Sequence, residues 1–114
     1  LMAHYVVDTH TLIWHLTGDP QLSPTAREIL EGADSGRHII LVPSIVPVGI
    51  VYLVEKGRLP EEALELVSVM ASRRPENYQV VPLDEAVALM VRDIPRQIVP
   101  DMPDRIIAAT WGHR

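Results

Sequence analysis

Hydrophobic and polar positions follow two rhythms along this chain. Short apolar-rich runs fall at residues 5–7 (YVV), 38–42 (HIILV) and 78–82 (YQVVP). They are too short for helices and rich in β-branched residues, so they predict buried strands. Between them, apolar residues recur at helical spacing. Leu12, Ile13 and Leu16, with Trp14 beside them, predict a helix over 9–16 that ends at Gly18-Asp19-Pro20. Ser23 and Pro24 supply an N-cap and a first-turn proline for a second helix through Ala26, Ile29 and Leu30, ending between Gly32 and Gly36. Ser44 opens a third, with Ile50, Val51, Leu53 and Val54 apolar and Glu55-Lys56-Gly57 closing it. Pro60-Glu61-Glu62 starts a fourth that runs to about Ser72. Asp84 caps a fifth through Val91, and Asp101-Met102-Pro103-Asp104 opens a last one over 105–110.

The resulting order is βααβααβαα. Strands that alternate with helices predict an α/β fold, a parallel sheet covered on both faces. In such sheets binding and catalysis sit at the carboxyl ends of the strands. Asp8 follows the first predicted strand, which makes it the first candidate. No linker, repeat or low-complexity stretch divides the chain, and its 114 residues are expected to form a single domain, 1–114.

Composition narrows the chemistry. Cysteine is absent, which excludes disulfides, thiol catalysis and thiolate zinc sites. The formal net charge is −5, so nucleic acid would not be held by bulk charge; a local basic patch or a bound cation would be needed. Aromatic residues make up 4% and phenylalanine is absent, which speaks against a base-stacking platform. The longest apolar stretch, 39–54, is broken by Pro43, Ser44, Pro47 and Gly49 and is not expected to span a membrane. The start, LMAHYVVD, lacks a basic region followed by a long apolar one, so no signal peptide is expected. A cytoplasmic protein is the expectation.

Four acids stand at strand ends or helix starts: Asp8, Asp84, Asp101 and Asp104. If several converge, a cation must neutralise them. Oxygen ligands without cysteine suit Mg²⁺ or Mn²⁺. Each acid also has a plainer reading as a helix cap. For Asp84 the cap is the stronger reading. For Asp8, Asp101 and Asp104 both readings stand on spacing alone. His10 and His15 are five apart and share a helix face poorly, which argues against a histidine metal pair. His4 and His38 are expected at the surface or at strand ends. There is no glycine-rich phosphate loop and no G-x-S-x-G turn.

Three stretches carry a resemblance. VVDTHTLIWHLTGDPQLSPTAREIL resembles the opening of PIN domains, especially the VapC-like toxin branch, where a strand ends in Asp-Thr before a Leu/Trp-rich helix. VPSIVPVGIVYLVEKGRL resembles that branch's second motif, and PDMPDRIIAAT its third. The resemblance implies a PIN-like three-layer α/β/α fold around a parallel sheet. It implies a ribonuclease in which clustered acids bind Mg²⁺ or Mn²⁺ and water cuts an RNA phosphodiester. It also implies a toxin held by a small antitoxin and a homodimer. By the same resemblance Asp8 is the first acid, Asp104 the third and Asp101 an accessory acid, while Thr9 orients Asp8 by a hydrogen bond.

The chain departs from the family pattern twice. The second acid, a Glu in an S-x-x-E-I pattern, aligns with Gly49, and Pro47 is unusual in a running helix. Glu55 lies six residues on and belongs to the E-K-G motif, so it is no substitute. The last residues, Trp111-Gly112-His113-Arg114, fall short of the family's final strand and its acid. The alternative expectation is therefore a catalytically impaired PIN-like module that acts by binding an antitoxin or itself. A receiver-like regulatory domain is a third reading, but its usual lysine and threonine placement is missing.

Overall fold

A computed structural model describes residues 3–94, 97, 106 and 107. Three strands form one parallel sheet in the order β1 (Ala3–Val6), β2 (His38–Pro43), β3 (Tyr78–Val81). The register pairs Tyr5 with Ile40 and Ile40 with Tyr78. Helices α1 (Thr9–Thr17) and α2 (Pro24–Asp34) join β1 to β2, and α3 (Ile45–Glu55) and α4 (Glu62–Arg73) join β2 to β3. Helix α5 (Glu85–Met90) follows, then a 3₁₀ turn, Val91–Asp93. Ile106 and Ile107 are helical, as the pattern over 105–110 predicts; the rest of that segment lies outside the described residues.

The central strand explains the layering. Ile40, Leu41 and Val42 are all buried, so β2 is covered on both faces. Alternation sends Tyr5, Val7, Ile40, Val42 and Tyr78 to one face. There Val7, Ile40, Val42 and Tyr78 join one apolar core with Leu12 and Ile13 of α1, Leu30 and Ala33 of α2, Val46 and Ile50 of α3, and Val67 and Met70 of α4. Leu41 and Val81 point to the other face and are buried too, as is Val87 of α5. The expected α/β/α layering is present.

Two local rules explain most boundaries. Ser23 caps α2 by accepting the Ala26 N–H at 3.1 Å, ahead of Pro24 at the first helical position. Pro47 falls in the first turn of α3, where a backbone N–H has no partner within the helix, so the proline does not break it. Ser44 does not cap α3 with its side chain. Its hydroxyl instead accepts the Leu83 N–H at 3.0 Å, and its own N–H donates to the Val81 carbonyl at 2.8 Å.

His38 begins β2, the strand end expected of it, and is half-buried. Its ring meets Tyr5 edge-on at 5.3 Å between centroids, and its buried Nδ1 has no hydrogen-bond partner among the described residues. Gly32 makes room for it: a Cβ there would lie 2.9 Å from His38 Nε2 and closer still to Cδ2. At an unconstrained helix position Gly→Ala would stabilise by about 1 kcal/mol. Here Gly32→Ala is expected to destabilise by about 1–3 kcal/mol through overpacking. Urea unfolding checks the sign, and His38→Ala should remove most of the penalty.

Tyr78 ties β3 to α2. Its hydroxyl donates to Asp34 Oδ1, with the Leu30 carbonyl oxygen 3.3 Å away as a second acceptor. Burial first, then the hydrogen bond and charge of Asp34, hold this hydroxyl far above the ordinary tyrosine range. The unfolded tyrosine loses its proton near pH 10 while the folded one keeps it. Its contribution to stability is thus complete below about pH 10 and falls as pH rises beyond it. Tyr78→Phe should cost about 1–2 kcal/mol at pH 8. Denaturation midpoints of the two proteins should converge above pH 10.

Candidate active site at the carboxyl end of the sheet

Asp8 stands two residues beyond β1, after Val7, whose N–H still pairs with the Leu41 carbonyl at 3.2 Å. Its backbone is extended, so the chain turns into α1 here, and its Oδ1 accepts the Thr11 N–H at 2.8 Å. This is an N-cap, with the carboxylate at the positive end of the helix dipole. The residue is exposed, and Oδ2 takes no hydrogen bond among the described residues. The cap and the metal-ligand readings are therefore compatible: one oxygen serves the helix and the other faces outward as a hard donor.

Thr9 directs its side chain at α3. A Cβ built on Gly49 would meet Thr9 Oγ1 at 3.3 Å and Cγ2 at 3.5 Å. The glycine at the family's acid position thus abuts the residue after Asp8. A side chain added there starts against Thr9, the neighbour of Asp8 in sequence. Glu55, at the far end of α3 and exposed, is about 9 Å further along the helix axis. The hydrogen bond that holds Asp8 comes from the Thr11 backbone, a contact that the resemblance had not indicated.

Asp84 caps α5, accepting the Val87 N–H at 2.9 Å, as spacing predicts. His15 binds Asp34, its Nε2 lying 2.8 Å from Oδ2, and His10 packs its ring near Trp14 at 6.0 Å. Among the described residues no group of three His, Asp or Glu side chains is arranged to hold a metal ion. Asp101 and Asp104 lie outside the described residues. The described part of the site offers one suitable ligand, Asp8, and nothing from position 49.

A cavity of about 240 Å³ opens beside Asp8. Thr11 also lines it, and the other lining residues are mostly apolar, Val7, Ile29, Leu30 and Ile107 among them. Ile107 links the last helical segment to the mouth of β1.

A family model described as the PIN domain matches residues 5–113. The chain belongs to the PIN domain family. That family is one of nucleases that generally depend on a divalent metal. Among solved structures this PIN domain is similar to the crystal structure of VapBC2 from Rickettsia felis bound to a DNA fragment from their promoter. The identity is 14%, the match covers 95% of this chain and 79% of that one, and the TM-score is 0.64. At that identity the likeness is one of fold. No curated protein matches the chain significantly. No helix among the described residues of the PIN domain is long and apolar enough to cross a membrane.

The two roles of Asp8 can be separated. Asparagine caps helices as well as aspartate does, whereas alanine forfeits the cap. Asp8→Ala is expected to lower stability by about 1 kcal/mol and Asp8→Asn by only a few tenths. Thermal denaturation of the two variants checks this and fixes Asp8→Asn as the variant that removes charge without disturbing α1.

Proposed function

We propose that this chain is a toxin-type PIN ribonuclease of the cytoplasm, which cuts RNA with Mg²⁺ or Mn²⁺ and is restrained by a small antitoxin. The observation that carries the reading is the cavity shared by Asp8 and Ile107, because Asp104 stands three residues before Ile107 in the sequence. In a helix those two positions share a face. Asp8 and Asp104 would hold the ion, with Asp101 as an accessory acid. When bound, the ion lowers the pKa of a coordinated water and stabilises charge developing on the phosphate. It also lets an acidic protein meet a polyanion.

The chain's own residues do the rest. Thr11 N–H fixes the Asp8 carboxylate through Oδ1 and leaves Oδ2 for the ion. Thr9 sits between Asp8 and α3 and sets how closely that helix approaches. Self-association has a candidate surface in α3, which is apolar on its outer side as well as its inner one. Val48 is 60% exposed and Tyr52 56%. A helix apolar all round calls for cover on both sides.

Gly49 favours a second reading, a PIN module that binds its partner without cutting RNA. Loss of a group that merely orients a ligand already weakens a metal site by about 10–100-fold. The two readings separate in one assay, cleavage of a mixed RNA substrate with and without Mn²⁺. The enzyme reading expects slow, Mn²⁺-dependent cutting that falls at least about tenfold in Asp8→Asn and rises about tenfold in Gly49→Glu. Absence of cutting by the native chain, whether or not Gly49→Glu cuts, would overturn the enzyme reading and leave the binding module.

A further inference from the structure

A second cavity, about 530 Å³, lies at the other end of the sheet, where β3 begins. Its size is that of a small-molecule site. One wall is apolar and belongs to α4: Leu66 and Val69, each 39% exposed, with Met70 beneath them. The polar groups converge from three other places, the end of α1 (His15), the end of α2 (Asp34) and the start of β3 (Tyr78).

Among the described residues Asp34 is the only acid that lines this cavity, and both of its oxygens are engaged. Oδ2 faces His15 Nε2 at 2.8 Å and Oδ1 accepts the Tyr78 hydroxyl. It keeps its negative charge but has no oxygen left for the arginines, and two guanidiniums outnumber that single carboxylate. Arg73 and Arg74, at the end of α4, line the same cavity and form no ion pair among the described residues. Arg74 Nη1 reaches across to the turn after α2, lying 3.7 Å from where a Cβ on Gly36 would be. Two guanidiniums without counter-charge, in a chain of net charge −5, stand over an exposed aliphatic wall. Guanidinium donors match carboxylate and phosphate geometry.

We propose that this cavity binds a small organic anion, its charged head on Arg73 and Arg74 and its aliphatic body against Leu66, Val69 and Met70. The site is remote from Asp8 and does not depend on the nuclease reading. The probe is octanoate, titrated into the full chain and followed by amide chemical shifts. Saturable shifts are expected at residues 15–16, 34, 66–74 and 78, with octanol of the same chain length binding at least about fivefold more weakly. The exposed Arg73→Gln/Arg74→Gln double variant should fold normally and lose about fivefold in octanoate affinity, the scale of two exposed ion pairs. Shifts that do not saturate or are scattered over the surface overturn the proposal. So does equal binding of octanol, or a folded double variant with unchanged affinity, which would leave the arginines as solvated residues that complement the dipole of α4.

Discussion

The burial of β2 on both faces is the constraint from which the rest of the fold is built. Three consecutive residues, Ile40, Leu41 and Val42, lose their contact with water, and no slip of one residue could improve on that, because both faces are apolar. What fixes register instead is the neighbouring strands, where Tyr5 and Tyr78 both pair with Ile40 and share the helical face. Tyr78 settles the matter, since its hydroxyl must find Asp34 on α2. A slip of one residue would carry that hydroxyl to the other face and leave Asp34 without it. The polar bond thus does what apolar burial alone could not, and the strand ends, Asp8 among them, fall where they do as a consequence.

Asp34 and Asp8 make an instructive pair. Both are carboxylates next to a helix terminus, one at each end of the sheet. Asp34 sits at the unfavourable end of α2, where the dipole opposes a negative charge, and is held by His15 and Tyr78 through both oxygens. It is a knot joining α1, α2 and β3. Asp8 sits at the favourable end of α1 and is satisfied through one oxygen by its own helix. A carboxylate whose bonds are complete serves the fold. One that is well placed, exposed and half engaged is free for chemistry.

Much of this was legible in the sequence. Strands two and three begin where the apolar runs at 38 and 78 begin, and the helix starts at Ser23-Pro24 and Asp84 follow from capping chemistry alone. The identity of the candidate acids came from motif order, not from spacing, which left Asp8 divided between cap and ligand. The structure shows the cap and leaves the other reading compatible with it, because a carboxylate has two oxygens and the cap uses one. Contacts between distant segments were not legible. His15 meets Asp34 across 19 residues, Tyr78 meets Asp34 across 44, and Gly32 yields to a histidine on another element. No periodicity encodes such pairs. The cover of His38 and the absence of ion-pair partners for Arg73 and Arg74 among the described residues have the same origin: they are properties of packing.

Gly49 shows most plainly how fold and site can part company. A glycine inside a helix is a cost of about 1 kcal/mol relative to alanine, so its presence asks for a reason. Close approach to Thr9 supplies one, since even a methyl group would press on the hydroxyl at 3.3 Å. But the contact is with one threonine side chain and not with backbone, so it is a soft one. The packing therefore tolerates glycine without demanding it. The helix that carries this position is well formed: its proline is harmless in the first turn, and position 49 faces Thr9, the residue after Asp8. The helix at position 49 is thus kept while the position itself offers no donor atom, and fold and site answer to different constraints.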